Sequence, residues 1–420
     1  MTVPDRRVAL VTTLVGLVAF VALAVWLVPW HPVPGGDLRA ADPGSVFTPE
    51  QLDRAEDFSR QARIWSWSSL VVSLLVACWL GFSRRGRALF SRLPGRWWVQ
   101  VPLAVALVEL VRRVVTLPFA VMLRRERLDY GLTEQAWGAW AVDLAKNELL
   151  TIVLTSLGLL AVLACVRRWQ RAWPAVAGAG LAVLVLLGSF VYPLVVEPLF
   201  NRFEPLPDGS LRTAIMQLAD EEDVAVDDVL VADASRRTTT LNAYVSGFGG
   251  TRRVVVYDNL VEDLPQDETL SVVAHELAHA RHGDVVIGSL LGASGGLLAA
   301  GLLSLVLARV RRRGGPGVGD PAVVPVVLAL VAIASLASSP VSNTISRQIE
   351  TRADVEALRT TQNPDAFVEM QTQLGLRSLN DPSPPAWSQF WFGSHPTALT
   401  RVALARRMAE LAEAQPDDRD

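Results

Sequence analysis

The sequence predicts a mainly α-helical, polytopic membrane protein that carries a small α/β domain. Three observations carry that prediction. Of 420 residues, 51% are hydrophobic and 19% charged, greasier than an ordinary soluble domain. Seven apolar runs approach or exceed the ~18–20 residues that a helix needs to cross a bilayer. Between the fifth and sixth runs, and again after the seventh, the chain turns polar and its periodicity becomes mixed.

In order, the runs are 8–30, 64–82, 97–123, 149–166, 175–196, 285–310 and 322–339. The first is too long for a secretory signal and no small-residue cleavage site closes it, so it reads as a retained span. The third is interrupted by Glu109, Arg112 and Arg113. Ionisable groups at that depth face a bundle interior or a water-filled cavity rather than lipid. Trp30, Trp65, Trp67, Trp97, Trp98 and Trp173 stand near run ends, where indole rings anchor at the interface. The loops 84–96, 167–171 and 309–313 are rich in arginine and by parity share one side. The positive-inside tendency places them in the cytoplasm and the polar segment before the sixth run outside.

This divides the chain into residues 1–196 with spans one to five, 197–284, 285–340 with spans six and seven, and 341–420. In the first polar segment "LRTAIMQLADEE" has helical periodicity, while "DVLVADAS" and "RRVVVYDNL" are rich in β-branched residues and read as strands. "NAYVSGFGGT" reads as an extended piece followed by a Gly-rich turn. The last segment reads as two helices, "ISRQIETRADVEALR" and "HPTALTRVALARRMAELAEA", around a loop "NDPSPPAWSQFWFGS", with 416–420 a solvated tail. A net charge of −3 gives no argument for nucleic acid as a partner. The two cysteines, Cys78 and Cys165, lie in apolar runs and define neither a disulfide framework nor a thiolate metal site.

The first polar segment ends in "VVAHELAHARHGD". His275 and His279 are four apart, which on a helix puts both on one face, close enough to chelate one ion. Glu276 points to the side of that ion, where it can take a proton from a metal-activated water. The bland alternative is a surface helix with incidental histidines. A catalytic zinc needs a third protein ligand and an open position. His282 lies roughly 10 Å along the helix axis from His275, too far to share the ion if the helix continues. The metzincin pattern of a glycine and then a third histidine is absent, since His282 and Val285 hold those positions. Downstream, Glu350 and Asp354 in "SRQIETRAD" again share a helix face. This E-x-x-x-D resembles the gluzincin arrangement, in which the glutamate is the third ligand and the aspartate holds a ligating histidine. In "SHPTALTR", His395 and Arg401 are candidate donors to an oxyanion; the alternative is a helix start capped by Ser394 or His395 with Pro396 in the first turn. Asn242 and Ala243 sit on an extended segment able to pair with a substrate backbone, or are an ordinary strand end.

Taken together, "YPLVVEPLFNRFEPLPDG", "NAYVSGF", "VAHELAHARHGD", "SRQIETRADVEAL" and "SHPTALTR" resemble the membrane zinc metalloproteases comprising type I CaaX prenyl endopeptidases and their bacterial relatives. Their order and spacing match from about residue 90 to 410. The resemblance implies about seven transmembrane helices enclosing a water-filled chamber, with a gluzincin-like zinc domain at one mouth. It implies one Zn2+ ion bound by His275, His279 and Glu350, with Glu276 as base and Asp354 behind a histidine. His395 and Arg401 would steady the transition state, and Asn242 with Ala243 would hold the substrate chain. The implied partners are the bilayer and a peptide or protein substrate, membrane-bound or lipid-bearing, and the implied location is the cell membrane. In eukaryotic members the zinc domain faces the cytosol, opposite to what the arginine loops predict, so the side stays open. The competing functions are a membrane quality-control protease without prenyl specificity, an intramembrane-cleaving protease, and a zinc-stabilised scaffold or channel. Loss of the base would favour the scaffold, and Glu276 is present.

Overall fold

The computed structural model describes residues 6–195 and 201–414. The N-terminal half is helical: α1 (Arg6–Leu27), α2 (Pro49–Phe82), α3 (Arg84–Phe90), α4 (Trp97–Asp129), α5 (Trp137–Arg168) and α6 (Trp173–Val195). Then follow β1 (Phe203–Pro205), α7 (Ser210–Glu221), β2 (Asp228–Ala232), β3 (Ala243–Ser246), β4 (Arg253–Tyr257), α8 (Asp258–Asp263) and α9 (Gln266–His282). The chain ends in α10 (Asp284–Arg312), α11 (Val324–Thr361), α12 (Pro364–Ser378), α13 (Ala386–Phe392) and α14 (Ala398–Ala414).

Each of the seven apolar runs lies on a helix. Among the described residues five helices are long and apolar enough to cross a membrane: α1, α2, α5, α10 and the stretch Pro321–Thr361. Of the two others, α4 is interrupted by Glu109, Arg112 and Arg113, and α6 is apolar along its described stretch Trp173–Ser189; the end of the fifth predicted run, at Val196, lies outside the described residues, as does the 416–420 tail. The helices pack in succession, α10 on α6, α6 on α5, α5 on α4, α4 on α2 and α2 on α11, with α1 riding on α10 and α6. Val18, Val25, Leu157 and Leu187 are exposed and do not line the large cavity, the exposure that lipid-facing positions require.

Small residues let α1 approach α10. A Cβ on Gly301 would stand 2.6 Å from the Thr13 backbone nitrogen, and one on Gly16 would stand 2.8 Å from Leu298 Cα, the close crossing that small residues permit between membrane helices. Gly301→Val is expected to force α1 off α10 and destabilise the protein by about 1–3 kcal/mol, read as a lowered melting temperature in detergent.

The helices enclose a cavity of about 2160 Å³. Its wall is mainly apolar, with Leu17, Leu159, Leu181, Leu291 and Leu328 among its members. The charged residues of the third run do not face it. Glu109, Arg112 and Arg113 line a separate pocket of about 310 Å³ with Ser66, Ser69, Ser73 and Glu148. There they pair among themselves: Arg112 with Glu109 at 3.0 Å and with Ser73 Oγ at 2.9 Å, and Arg113 with Glu148 at 2.6 Å. Pairing across α2, α4 and α5 removes the need for a chamber to hydrate them.

The polar segments fold around one core. Four strands form a sheet in the order β1-β2-β4-β3, with β2 and β4 parallel and the outer pairs antiparallel. Against it pack α7, α9, α12 and α14 through Ile215, Leu218, Val254, Val273, Leu277, Phe367 and Leu404. Residues from both sides of the sixth and seventh runs thus share one interior. The expected division at 340/341 falls inside α11, which continues through Pro340 without interruption. The span and the helix bearing Glu350 are a single 38-residue rod. Two further helices, α12 and α13, occupy stretches that periodicity did not mark, α13 within the expected Pro/Ser/Trp loop. The front of α2 also extends beyond the second run. Its capping box at Thr48 and Gln51 starts the helix early, and Ser59 and Arg63 reach Leu379 and Asp381 of the polar domain.

Candidate active site

Three elements bring the predicted residues together. Helix α9 presents His275 and His279 one turn apart, with Glu276 next to His275. It ends at Gly283, whose φ of 65° is the left-handed cap that lets the chain turn directly into α10. Helix α11, packed along α9, delivers Glu350 and Asp354; the segment leading into α14 delivers His395 and the first turn of α14 delivers Arg401.

One ligand atom each from His275, His279 and Glu350 lie within 4.8 Å of one another. The facing atoms are His275 Nε2 and His279 Nε2, 3.2 Å apart, with the Glu350 carboxylate 3.4 Å from the first and 3.6 Å from the second. A tetrahedral ion with bonds of ~2.0–2.1 Å holds its ligands roughly 3.3–3.4 Å apart, so the spacing fits one ion. The other ring nitrogens strengthen the case. His275 Nδ1 lies 2.9 Å from Asp354 Oδ1, close though not aligned as a hydrogen bond, and His279 Nδ1 lies 2.8 Å from Asp284 Oδ2. A carboxylate on each Nδ1 favours the proton there, leaving two Nε2 lone pairs facing each other and a carboxylate. That arrangement calls for a cation between them. Burial opposes a charge on His275, yet Asp354 and Glu350 outweigh it and push the imidazole up to about 10 when a proton is the only cation on offer.

Glu276 is half-buried beside the triad and lines the large cavity. Burial raises its carboxyl above the ordinary range, against the pull of His275 and His279. The side chain of His395 is 61% exposed and its Nε2 is 3.4 Å from Glu350. It is not a helix cap: Thr397 takes that place, accepting from the Thr400 amide. Arg401, the other candidate oxyanion donor, is not a solvated arginine. It is buried and committed to Glu350 at 2.8 Å and to Asp354 Oδ1 at 3.3 Å. Asn242 and Ala243 stand at the start of β3, the edge strand, whose outer side has no partner strand among the described residues. Both line the same cavity as Glu276. His282 closes α9 and is not among the clustered donors, because the helix carries it away from the triad as the axial rise requires.

Sequence reasoning missed Asp284. Its side chain is 8% exposed and bonds both His279 and Arg352. An acid five residues after a histidine gives no helical signal, because the Gly283 turn, not helical spacing, brings it back.

A helical membrane bundle, a small mixed sheet with a free edge, and an H-E-x-x-H helix completed by a distant glutamate define a membrane metallopeptidase of the gluzincin type. Comparison with known proteins agrees along nearly the whole chain. Residues 205–409 match the model of peptidase family M48, and residues 43–202 match that of the CAAX prenyl protease N-terminal region of five membrane helices. The "Uncharacterized metalloprotease YhfN" of Bacillus subtilis is 29% identical over 391 residues, covering 90% of this chain and 91% of that protein. A "CAAX prenyl protease 1 homolog" of Arabidopsis thaliana is 33% identical over 151 residues, so the match spans 36% of each chain. The crystal structure of S. mikatae Ste24p superposes with a TM-score of 0.77 at 20% identity, covering 96% of this chain and all of that one; at that identity the likeness concerns the fold. The chain belongs to peptidase family M48. It is a membrane metalloprotease that acts on peptide or protein substrates. The resemblance motif at 192–209 crosses residues outside those described.

Proposed function

We propose that this chain is a zinc endopeptidase of the cell membrane that cleaves peptides tethered to the bilayer, in the manner of a CaaX prenyl endopeptidase. The observation that carries the reading is the opening of the His275, His279 and Glu350 cluster onto a large apolar cavity between the helices. Such a cavity suits a substrate with a lipid chain or another apolar anchor. In this reading those three residues would hold one zinc ion, which would supply Lewis acidity. Glu276 takes the proton of the attacking water and returns it to the leaving amine. The free edge of β3, from Asn242 and Ala243 onward, pairs with the extended substrate backbone. His395, open to the cleft, donates to the oxyanion. Arg401 fixes the Glu350 carboxylate, and Asp354 orients His275.

His395→Ala is expected to keep its metal and to lower kcat by about 10²–10³-fold. Turnover of a quenched-fluorescent peptide beside metal analysis checks it. The substrate is tested by comparing cleavage products in membranes holding wild type or Glu276→Gln. Farnesylated and unfarnesylated forms of one CaaX peptide are assayed in parallel. Equal cleavage of both forms would remove the prenyl preference and favour a general membrane quality-control protease. Residues 1–196, 197–284, 285–340 and 341–420 serve in this scheme as bundle, first part of the zinc domain, closing spans and second part. The two zinc-domain parts meet in the shared core.

A further inference from the structure

We propose that Asp284, pinned by Arg352, is the positioning residue for His279, so that one side of the metal site is set by the junction of α10 and α11. The inference rests on the metal-site reading above. Asp284 is the first residue of α10, yet its carboxylate points back into the site. Oδ2 stands 2.8 Å from His279 Nδ1, and Oδ1 is bound by the Arg352 guanidinium of α11. The side chain is 8% exposed and Arg352 is 20% exposed, so solvent screens the contacts weakly. Two of the three cluster residues thus have a carboxylate behind them or beside them, and the two carboxylates come from different helices. Asp354 serves His275 from α11, and Asp284 serves His279 from the start of a membrane helix.

The chemistry is that of a ring fixed by its far nitrogen. A carboxylate accepting from Nδ1–H holds the tautomer that leaves Nε2 free, fixes the ring plane and raises the basicity of Nε2. Arg352 prevents the carboxylate from rotating away and comes from the same helix as Glu350, two residues on. A shift of α10 against α11 would therefore move Asp284 and turn His279 out of line with Glu350. The alternative is that Asp284 only places an acid in the first turn of α10, where it would favour the helix dipole. That role predicts a change in helix stability without a change in metal affinity.

Full-length protein, purified in detergent and stripped of metal, is titrated with zinc in competition with a chromophoric chelator. Asp284→Asn is expected to raise the zinc Kd by ~10–100-fold; its amide oxygen can still accept from Arg352, so the metal-free melting temperature falls only slightly. Asp284→Glu is expected to recover part of the loss, and Arg352→Met to weaken zinc in the same direction. Cobalt substitution gives a second readout, as a visible spectrum altered in Asp284→Asn but preserved in Glu276→Gln. Should Asp284→Asn fail to fold, Arg352→Met and Asp284→Glu decide by the same titration. Wild-type affinity in both Asp284→Asn and Arg352→Met, or a lowered metal-free melting temperature with unchanged Kd, overturns the proposal. A wild-type chain that binds no zinc overturns the metal-site reading as well, and the two failures are told apart by the wild-type titration alone.

Discussion

Glu276→Gln is expected to retain its metal and to lose peptide cleavage by about 10³-fold, within the range for removal of a positioned general base. The substitution is nearly isosteric, so the packing of α9 survives. What goes is the ability to accept a proton. Glu276 lines the same cavity as the cluster but is not one of its three grouped donors, so the metal donors stay intact. Its carboxyl is raised by burial, which makes it a better proton acceptor than an exposed glutamate at neutral pH. The check is kcat/KM on a fluorogenic peptide together with metal content per chain. Cleavage at the wild-type rate by a metal-loaded Glu276→Gln would sink the assignment of the base.

Glu350→Ala is expected to abolish both metal retention and activity. The triad would fall to two histidines, and a metal held by two neutral ligands exchanges readily with solvent and chelators. A second loss accompanies it. Arg401 donates to Glu350 at 2.8 Å with both side chains largely buried, and removal of one partner of such a pair costs up to ~3–5 kcal/mol. The cost is reduced here because Asp354 Oδ1 remains 3.3 Å from Arg401. The variant should therefore lose the stabilisation that zinc gives the wild type and also melt earlier than metal-free wild type. Metal analysis after dialysis and melting with and without zinc read the two effects separately. Full zinc occupancy in Glu350→Ala would show that the third ligand lies elsewhere.

Much of the active site is legible in the sequence because its parts obey helical spacing. His275 and His279, and Glu350 and Asp354, are i, i+4 pairs, and each pair lands on one face of α9 or α11 as that spacing requires. His395 could be singled out by its motif, but its position before α14 and not within it depends on Thr397 taking the cap. Arg401 was equally visible, yet no spacing could disclose that Glu350 and Asp354 already engage it. Asp284 gave no signal at all.

The fold divides in a similar way. Length and hydropathy are local properties, so the sequence by itself determined which stretches are apolar enough to be candidate membrane helices. It also determined the two i, i+4 pairs, His275 with His279 and Glu350 with Asp354, since each lies within one helix. Only the tertiary structure decided how those helices meet. Folding joined span seven and the Glu350 helix into one rod, paired the charges of α4 in their own pocket, and turned Asp284 back onto His279 through the Gly283 bend. The reason is physical: the contacts that complete the site join residues dozens of positions apart, or neighbours across a backbone reversal, and periodicity carries no information about either.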